Sequence, residues 1–390
     1  MSVNVLTAAL PPPVLVTRSD QLTDLLERLR REPVVAVDTE SNSLYAYFYR
    51  VCLIQISILE ADYLIDPLAP GLDVSPLGDL FADPSVEKVF HAADNDILML
   101  QRDYRFCFVR CFDTMLAARI LGWRQVGLAA ILEERFGVRL DKSLQRTDWG
   151  RRPLTTEQMA YARLDTRYLL PLRERMLAEL RARGRLEEAR EAFAALENLT
   201  WVEKPFDPEG FWRIEGARGL SPRALAVLRE LYLFRDAEAR RQNRPPFRIL
   251  SDQALINLAV AQPQSADALR RVAPRIGSAS ARRWLRALLA AIERGGAAPP
   301  PLPPQRYTNG SKPDEETLAR FEALRAWRAQ KAQARGVDPD VIATNEALMT
   351  LARLAPRTEE EFLRARVWGP WKQRTYGPEV LRVLTDLQRS

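Results

Sequence analysis

Apolar and polar positions follow one rhythm up to about residue 172 and another beyond it. Residues 20–31 (DQLTDLLERLRR) bring leucine back at helical spacing and predict an amphipathic helix. Short runs rich in β-branched and aromatic residues come next, at 33–38, 51–59 (VCLIQISIL) and 62–66 (DYLID), and each predicts a strand. The apolar runs EKVFHA (87–92) and FVRCFDT (108–114) then alternate with helical segments, one through DILMLQRDY and others from about 114 onward. Three consecutive strands followed by alternating α and β predict a mixed sheet flanked by helices. Beyond about residue 172 no strand is expected, and Leu-, Ala- and Arg-rich helices run to the C-terminus.

The helical half repeats itself. At a constant offset of 93, FRDAEARRQNRPPFRILSDQAL from Phe234 aligns with WRAQKAQARGVDPDVIATNEAL from Trp327, pairing Arg235 with Arg328, Pro246 with Pro339 and Leu255 with Leu348. Ser251 and Thr344 are the expected N-caps of equivalent helices. The stretch GGAAPPPLPPQRYTNGSKP between the copies is proline-rich and predicts an extended, semi-rigid spacer, long enough for the copies to be separate bodies. The expected division is 1–200, 214–295, a linker at 296–313, and 314–390.

Composition removes several classes of chemistry. The 390 residues suit two or three domains, with 47% hydrophobic and 28% charged positions, as expected of a water-soluble globular chain. The opening stretch lacks a basic signal region, and no apolar run is long enough to span a bilayer, so a cytoplasmic protein is expected. Three cysteines (Cys52, Cys107, Cys111) without a CxxC pair predict buried thiols, not a disulfide framework or a zinc site. A single histidine, His91, excludes mechanisms that need two imidazoles. Net charge is −4 over residues 1–200 and +10 over 201–390, so the acidic half suits cations and the basic half a polyanion.

The acidic half holds the candidate chemistry. Asp38 and Glu40 lie two apart in the strand PVVAVDTE and project from one face, while Tyr161 and Asp165, at i and i+4, share a helix face. With Asp96 in HAADND they form a set of oxygen ligands suited to divalent cations. Taken singly, each motif has a plainer reading: DTE as a turn or ion-paired surface, HAADND as a capped helix start, YARLD as an ordinary helix.

Their order, with the helical repeats downstream and RPPFRILSD in the first of them, resembles the ribonuclease D family over nearly the whole chain. The resemblance implies a ribonuclease-H-like α/β exonuclease domain of the DEDD superfamily followed by two all-α HRDC-like domains. It puts Asp38 and Glu40 on the first motif, Asp96 on the second, and Tyr161 with Asp165 on the third, where tyrosine marks the DEDDy branch. Ser41 stands where some relatives have an aromatic residue, which leaves the wall beside the terminal nucleotide to Leu44 or Tyr45, and the second repeat has GVDPD in place of RPPF.

The implied activity is a 3′-to-5′ exoribonuclease that releases nucleoside 5′-monophosphates using two Mg²⁺ or Mn²⁺ ions about 4 Å apart. Asp38 would bridge the ions, Glu40 and Asp165 would hold the one on the water side, Asp96 the one on the leaving-group side, and Tyr161 would orient the water. RNA such as a tRNA precursor is the expected partner, and a monomer is expected. Thr39, His91, Lys142 and Arg146 are candidate substrate contacts. Against this, His91 reads equally as a strand-end hydrogen-bonding residue, and Lys142, Ser143 and Arg146 as helix-end ion pairs. Trp149 reads as packing, and the arginines of 181–190 as a solvated face or an RNA path. A single-stranded DNA exonuclease and a noncatalytic RNA-binding scaffold are the alternatives. A RecQ-like helicase is disfavoured, since no GxxxxGK[ST] loop occurs.

Overall fold

The computed structural model describes residues 11–140, 142–273, 284–303 and 313–387, the side chain of Lys142 excepted. Much of the expected spacer, 304–312, lies outside the described residues. Contacts divide the chain into two units. One takes the described residues up to Ser41, then Val51–Trp201 and those from 313 onward; the other takes Asn42–Arg50 and the described residues from Val202 to 303.

The first unit is built on a six-stranded mixed sheet in the order β1-β4-β3-β2-β5-β6. The strands are β1 (Val14–Val16), β2 (Val34–Ser41), β3 (Val51–Ser57), β4 (Asp62–Ile65), β5 (Glu87–Phe90) and β6 (Cys111–Asp113). β2, β3 and β4 pair antiparallel as a meander, while β1 runs parallel to β4, β5 parallel to β2 and β6 parallel to β5. Helices α1 (Ser19–Leu29), α2 (Leu77–Ala82), α3 (Asp94–Tyr104), α4 (Thr114–Leu121), α5 (Leu128–Phe136), α6 (Thr156–Arg167), α7 (Leu169–Ala182) and α8 (Leu186–Glu197) belong to it. Alternation along β2 serves two cores: Val35 and Val37 join the cluster with α1 and α2, and Ala36 joins the one with α4 and α7.

Some expected strands are shorter, for local reasons. The 51–59 run ends at Ser57 because Ile58 N turns back to the Ala61 carbonyl at 2.9 Å. The 87–92 run ends at Phe90, since Ala92 adopts a left-handed φ of 63°. In 108–114 only Cys111–Asp113 is strand, because Arg110 has φ 53° and Asp113 is already the cap of α4. β1 was not expected: three residues after prolines give no periodicity, and their partners, Tyr63–Ile65, lie far along the chain.

Both repeats form, in the same register. α9 (Pro222–Gln242), α10 (Pro246–Ile249), α11 (Asp252–Ala261) and α12 (Ala266–Val272) make up the first repeat with α13 (Leu285–Ala297). Each of the first four is matched 93 residues on by α14 (Glu315–Arg335), α15 (Pro339–Ile342), α16 (Asn345–Leu354) and α17 (Glu359–Ala365), and α18 (Pro370–Leu387) closes the second repeat. Ser251 Oγ accepts from Ala254 N and Thr344 Oγ1 from Ala347 N, each at 3.2 Å. Among the described residues no strand follows β6.

The second repeat is docked on the sheet unit. Glu188 of α8, 1% exposed, pairs with Arg335, and Arg185 Nη2 donates to the Arg335 carbonyl at 2.9 Å. Glu191 accepts from Trp371 N and Lys372 N at 2.5 and 3.2 Å. Val341 is buried in the core cluster of α4, α7 and α8, and Arg119 pairs with Asp340.

Candidate active site

Asp38 and Glu40 leave β2 on the face against which α6 packs. The pairing of β2 with β3 shifts register between Glu40 and Ser41, a bulge just past both carboxylates. α6 opens on a capping box: Thr155 Oγ1 accepts from Gln158 N at 3.2 Å, and Gln158 Oε1 accepts from Thr155 N at 2.9 Å. That start point fixes which face carries Tyr161 and Asp165, one turn apart. As a result Asp38, Glu40 and Asp165 each present a carboxylate oxygen within 4.8 Å of the others.

Asp96 arrives from the opposite side, in the first turn of α3. The chain reverses at Ala92 and is held there by Asp113, whose Oδ2 accepts from Ala93 N at 2.7 Å while Oδ1 caps α4 through Met115 N and Leu116 N. The Thr39 hydroxyl donates to Asp96 Oδ1 and ties α3 to β2. The four carboxylates, Thr39, His91 and Tyr161 line one cavity of about 580 Å³.

Packing four carboxyl groups into a sheltered cavity makes their ionisation costly. Burial, then the charges of Asp96, Asp165 and Glu40, raises Asp38 well above the usual carboxylate range. Glu40 is pushed up to about 9, by burial first and then by Asp165 and Asp96. Burial also lifts Asp96 and Asp165 to about 7, opposed by the Thr39 hydrogen bond on the first and the Tyr161 hydrogen bond on the second. Burial, followed by Asp165, Glu40 and Asp38, raises the Tyr161 phenol, which therefore stays protonated at neutral pH. Hard oxygen donors at this spacing, penalised until a counter-charge is present, fit a divalent cation.

His91 lies next to this cluster, and burial lowers it to about 4, so it is neutral. The Thr114 hydroxyl commits its proton to the Phe90 carbonyl at 3.0 Å, so His91 Nδ1–H donates to it at 2.9 Å and Nε2 is left as an acceptor.

The structure brings Asp38, Glu40, Asp96, Tyr161, Asp165, Thr39 and His91 to one cavity. It does not bring Arg146 there; that residue is exposed and does not line the cavity, and the side chain of Lys142 lies outside the described residues. Trp149 is buried, its ring 6.0 Å from that of Tyr161, as a packing residue. Leu44 and Tyr45 belong to the segment packed on the first repeat. Asp113, Asn95 and Gln145 were missed. An Asp immediately before an apolar helix was the available signal for Asp113, whereas a lone Asn or Gln carries none.

A family model described as 3′-5′ exonuclease matches residues 13–181, and a model of the HRDC domain matches 224–292 and 317–384. Ribonuclease D of Gluconacetobacter diazotrophicus is 33% identical over 377 residues, covering 96% of this chain and 93% of that protein. The crystal structure of Escherichia coli RNase D, an exoribonuclease involved in structured RNA processing, matches with a TM-score of 0.63 at 27% identity, over 96% of this chain and 99% of that one. The catalytic core of RRP6 from Trypanosoma brucei matches with a TM-score of 0.69 at 28% identity, over 76% and 82% of the two chains. With its carboxylate-lined cavity on the exonuclease sheet and two HRDC domains later in the sequence, the chain belongs to the ribonuclease D family and is a 3′-to-5′ exoribonuclease acting on RNA.

Proposed function

We propose that the cavity hydrolyses the 3′-terminal phosphodiester of RNA with two bound divalent cations, Mg²⁺ or Mn²⁺, releasing one nucleoside 5′-monophosphate per cycle. The observation that supports this most is the convergence of Asp38, Glu40 and Asp165 oxygens within 4.8 Å. Asp38 would bridge the pair, Glu40 and Asp165 would hold the ion on the water side, and Asp96 the ion on the leaving-group side. Bound there, the cations supply acidification of water and neutralisation of charge on the phosphate and the departing 3′ oxygen.

The protein's own groups orient. Tyr161, protonated and hydrogen-bonded to Asp165, positions the attacking water and does not remove its proton. His91 Nε2 accepts from a ribose hydroxyl, and Thr39, its hydroxyl engaged by Asp96, serves by fixing that carboxylate. Lys142 and Arg146 are kept as candidate phosphate contacts. The substrate is a structured RNA such as a tRNA precursor, and the protein works as a monomer in the cytoplasm; among the described residues no helix is long and apolar enough to cross a membrane.

The test is a time course on 5′-labelled RNA and DNA of one sequence, each with a free or blocked 3′ hydroxyl, in Mg²⁺, Mn²⁺ or EDTA. The expected result is a ladder from the free 3′ end of RNA, absent in EDTA and absent for Asp38→Asn. Equal shortening of DNA would favour the DNA exonuclease, and binding without shortening the scaffold.

A further inference from the structure

The segment Asn42–Arg50, which joins β2 to β3, belongs to the second unit and packs on the first repeat. Phe48 N donates to Asn243 Oδ1 at 2.8 Å, the Tyr47 hydroxyl to Asp236 Oδ1 at 2.9 Å, and Arg248 Nε to the Leu44 carbonyl at 3.0 Å. Asn243 caps α9 in the left-handed conformation, and Arg244-Pro245-Pro246-Phe247 turns the chain into α10. Rings and guanidinium groups alternate across this seam. Arg240 lies 5.7 Å from the Phe48 ring centre, Phe48 meets Tyr47 edge-on at 5.0 Å, and Arg248 lies 4.6 Å from Tyr45 and 5.9 Å from Phe247. Phe48 and Phe247 stay 54% and 52% exposed, and Arg240, Arg244 and Arg248 are exposed beside them.

One exposed phenylalanine calls for no explanation. Two, one anchored by its backbone hydrogen bond to Asn243 and the other set in α10, with three exposed arginines on the same stretch of chain, form a patch with a defined chemistry. Base faces stack on rings and phosphates pair with guanidinium groups, so single-stranded nucleic acid is the ligand whose charge and shape match. The helical fold does not require these residues. Where the first repeat has Arg240, Arg244, Phe247 and Arg248, the second has Gln333, Val337, Asp340 and Val341.

Resting on the reading of the chain as an RNA exonuclease, we infer that Phe48, Phe247, Arg240, Arg244 and Arg248 form a stacking platform for unpaired bases of the substrate RNA, built jointly by the β2–β3 connection and the first repeat. The platform reads no base identity, because every base offers a π face, but it does demand that the bases be unpaired.

The experiment measures binding of a fluorescent oligoadenylate of about 12 nucleotides in EDTA, where no metal-dependent hydrolysis takes place. Phe48→Ala and Phe247→Ala are each expected to weaken binding roughly 5- to 100-fold with the salt dependence unchanged, and Phe48→Trp to restore it. Arg244→Gln is expected to lower the slope of log affinity against log salt by about 0.7. With Mg²⁺ present, the alanine variants raise KM for the same RNA and leave kcat at saturation unchanged. Because both rings are half exposed, a circular dichroism spectrum like that of the parent is expected for every variant. Alanine variants that bind normally, a blunt RNA duplex that competes as well as the single strand, or a Phe48→Trp protein as weak as Phe48→Ala would overturn the platform. A protein that shows the expected binding pattern yet shortens no RNA in Mg²⁺ supports the platform and overturns the exonuclease reading instead.

Discussion

In the first repeat, the corner after α9 presents Arg240, Arg244, Phe247 and Arg248 as exposed side chains; in the second, the corner after α14 is packed into the exonuclease body. The framework around the two corners is the same. Both long helices end in a left-handed residue, Asn243 or Gly336, and an arginine on each, Arg235 or Arg328, donates to a carbonyl fifteen residues on, Leu250 or Ala343. The side chains at the corner differ. Val337 and Val341 lie on apolar surface of the sheet unit, Asp340 meets Arg119, and Gly336 comes so near Gly122 that a Cβ at 122 would strike its carbonyl oxygen. One corner has become a face for the chain's own catalytic body, and the other has kept a face with the chemistry of a nucleic-acid surface. Framework and corner thus vary independently, and membership of one domain family does not fix what a copy binds.

Undoing the docked corner should cost the most. Glu188→Ala leaves Arg335 without its buried partner, which should lower the stability of the sheet unit by about 3–5 kcal/mol. Chemical denaturation with a probe in that unit measures this, and an unchanged midpoint would mean the pair does not hold the repeat in place. The acidic cavity sharpens the contrast, because it lies in the unit with the docked repeat and not in the other. Asp96 and Asp165 titrate at about 7 and Glu40 at about 9 in the folded protein, against ordinary carboxylate values of 3.8 and 4.5. At these three groups the folded state binds more protons than the unfolded one between about 4 and 9, which outweighs the opposite contribution of His91 between about 4 and 6.5, so stability falls as pH rises through that window. Thermal melts in EDTA should show Tm dropping from pH 5 to pH 9, with Mg²⁺ or Mn²⁺ restoring more at the alkaline end. Asp38→Asn should flatten both trends.

A milder break exchanges the corners. Arg244→Val with Phe247→Asp gives the first repeat the second repeat's residues, and it should abolish the platform's share of RNA binding with little change in Tm, since both positions are exposed. Anisotropy and melting on one preparation decide it. The smallest effects are expected at the shared framework: Ser251→Ala and Thr344→Ala should each cost about 1 kcal/mol, and equally, because the two caps have the same geometry. A clear difference in denaturation midpoints would show that the two frameworks are less alike than their geometry.

What could be read in the residues was what local spacing determines. Asp38 and Glu40 on one strand face and Tyr161 and Asp165 on one helix turn follow from periods of 2 and 3.6, and the 93-residue offset placed two caps correctly. Features made by distant partners were hidden. β1 exists only because Tyr63–Ile65 pair with it, and the docking of the second repeat depends on Glu188 meeting Arg335, 147 positions away. GVDPD marked a departure from RPPF but not its cause, since Val337 and Val341 look like ordinary helix-end residues until α4 and α8 are folded beneath them. Arg146 marks the limit of local spacing from the other direction: its charge was legible in the sequence, but its place, exposed and outside the cavity, was not.

The docked repeat also orders events on the ribosome. Glu188 is made 147 residues before Arg335, and all of the second unit except Asn42–Arg50 is synthesised in between. At about 5–20 residues per second the face around α8 waits roughly seven to thirty seconds for its cover. During that interval a nascent chain that already holds every carboxylate of the cavity still exposes an apolar surface and an unmatched glutamate, and completion of the exonuclease body is deferred until the last repeat emerges.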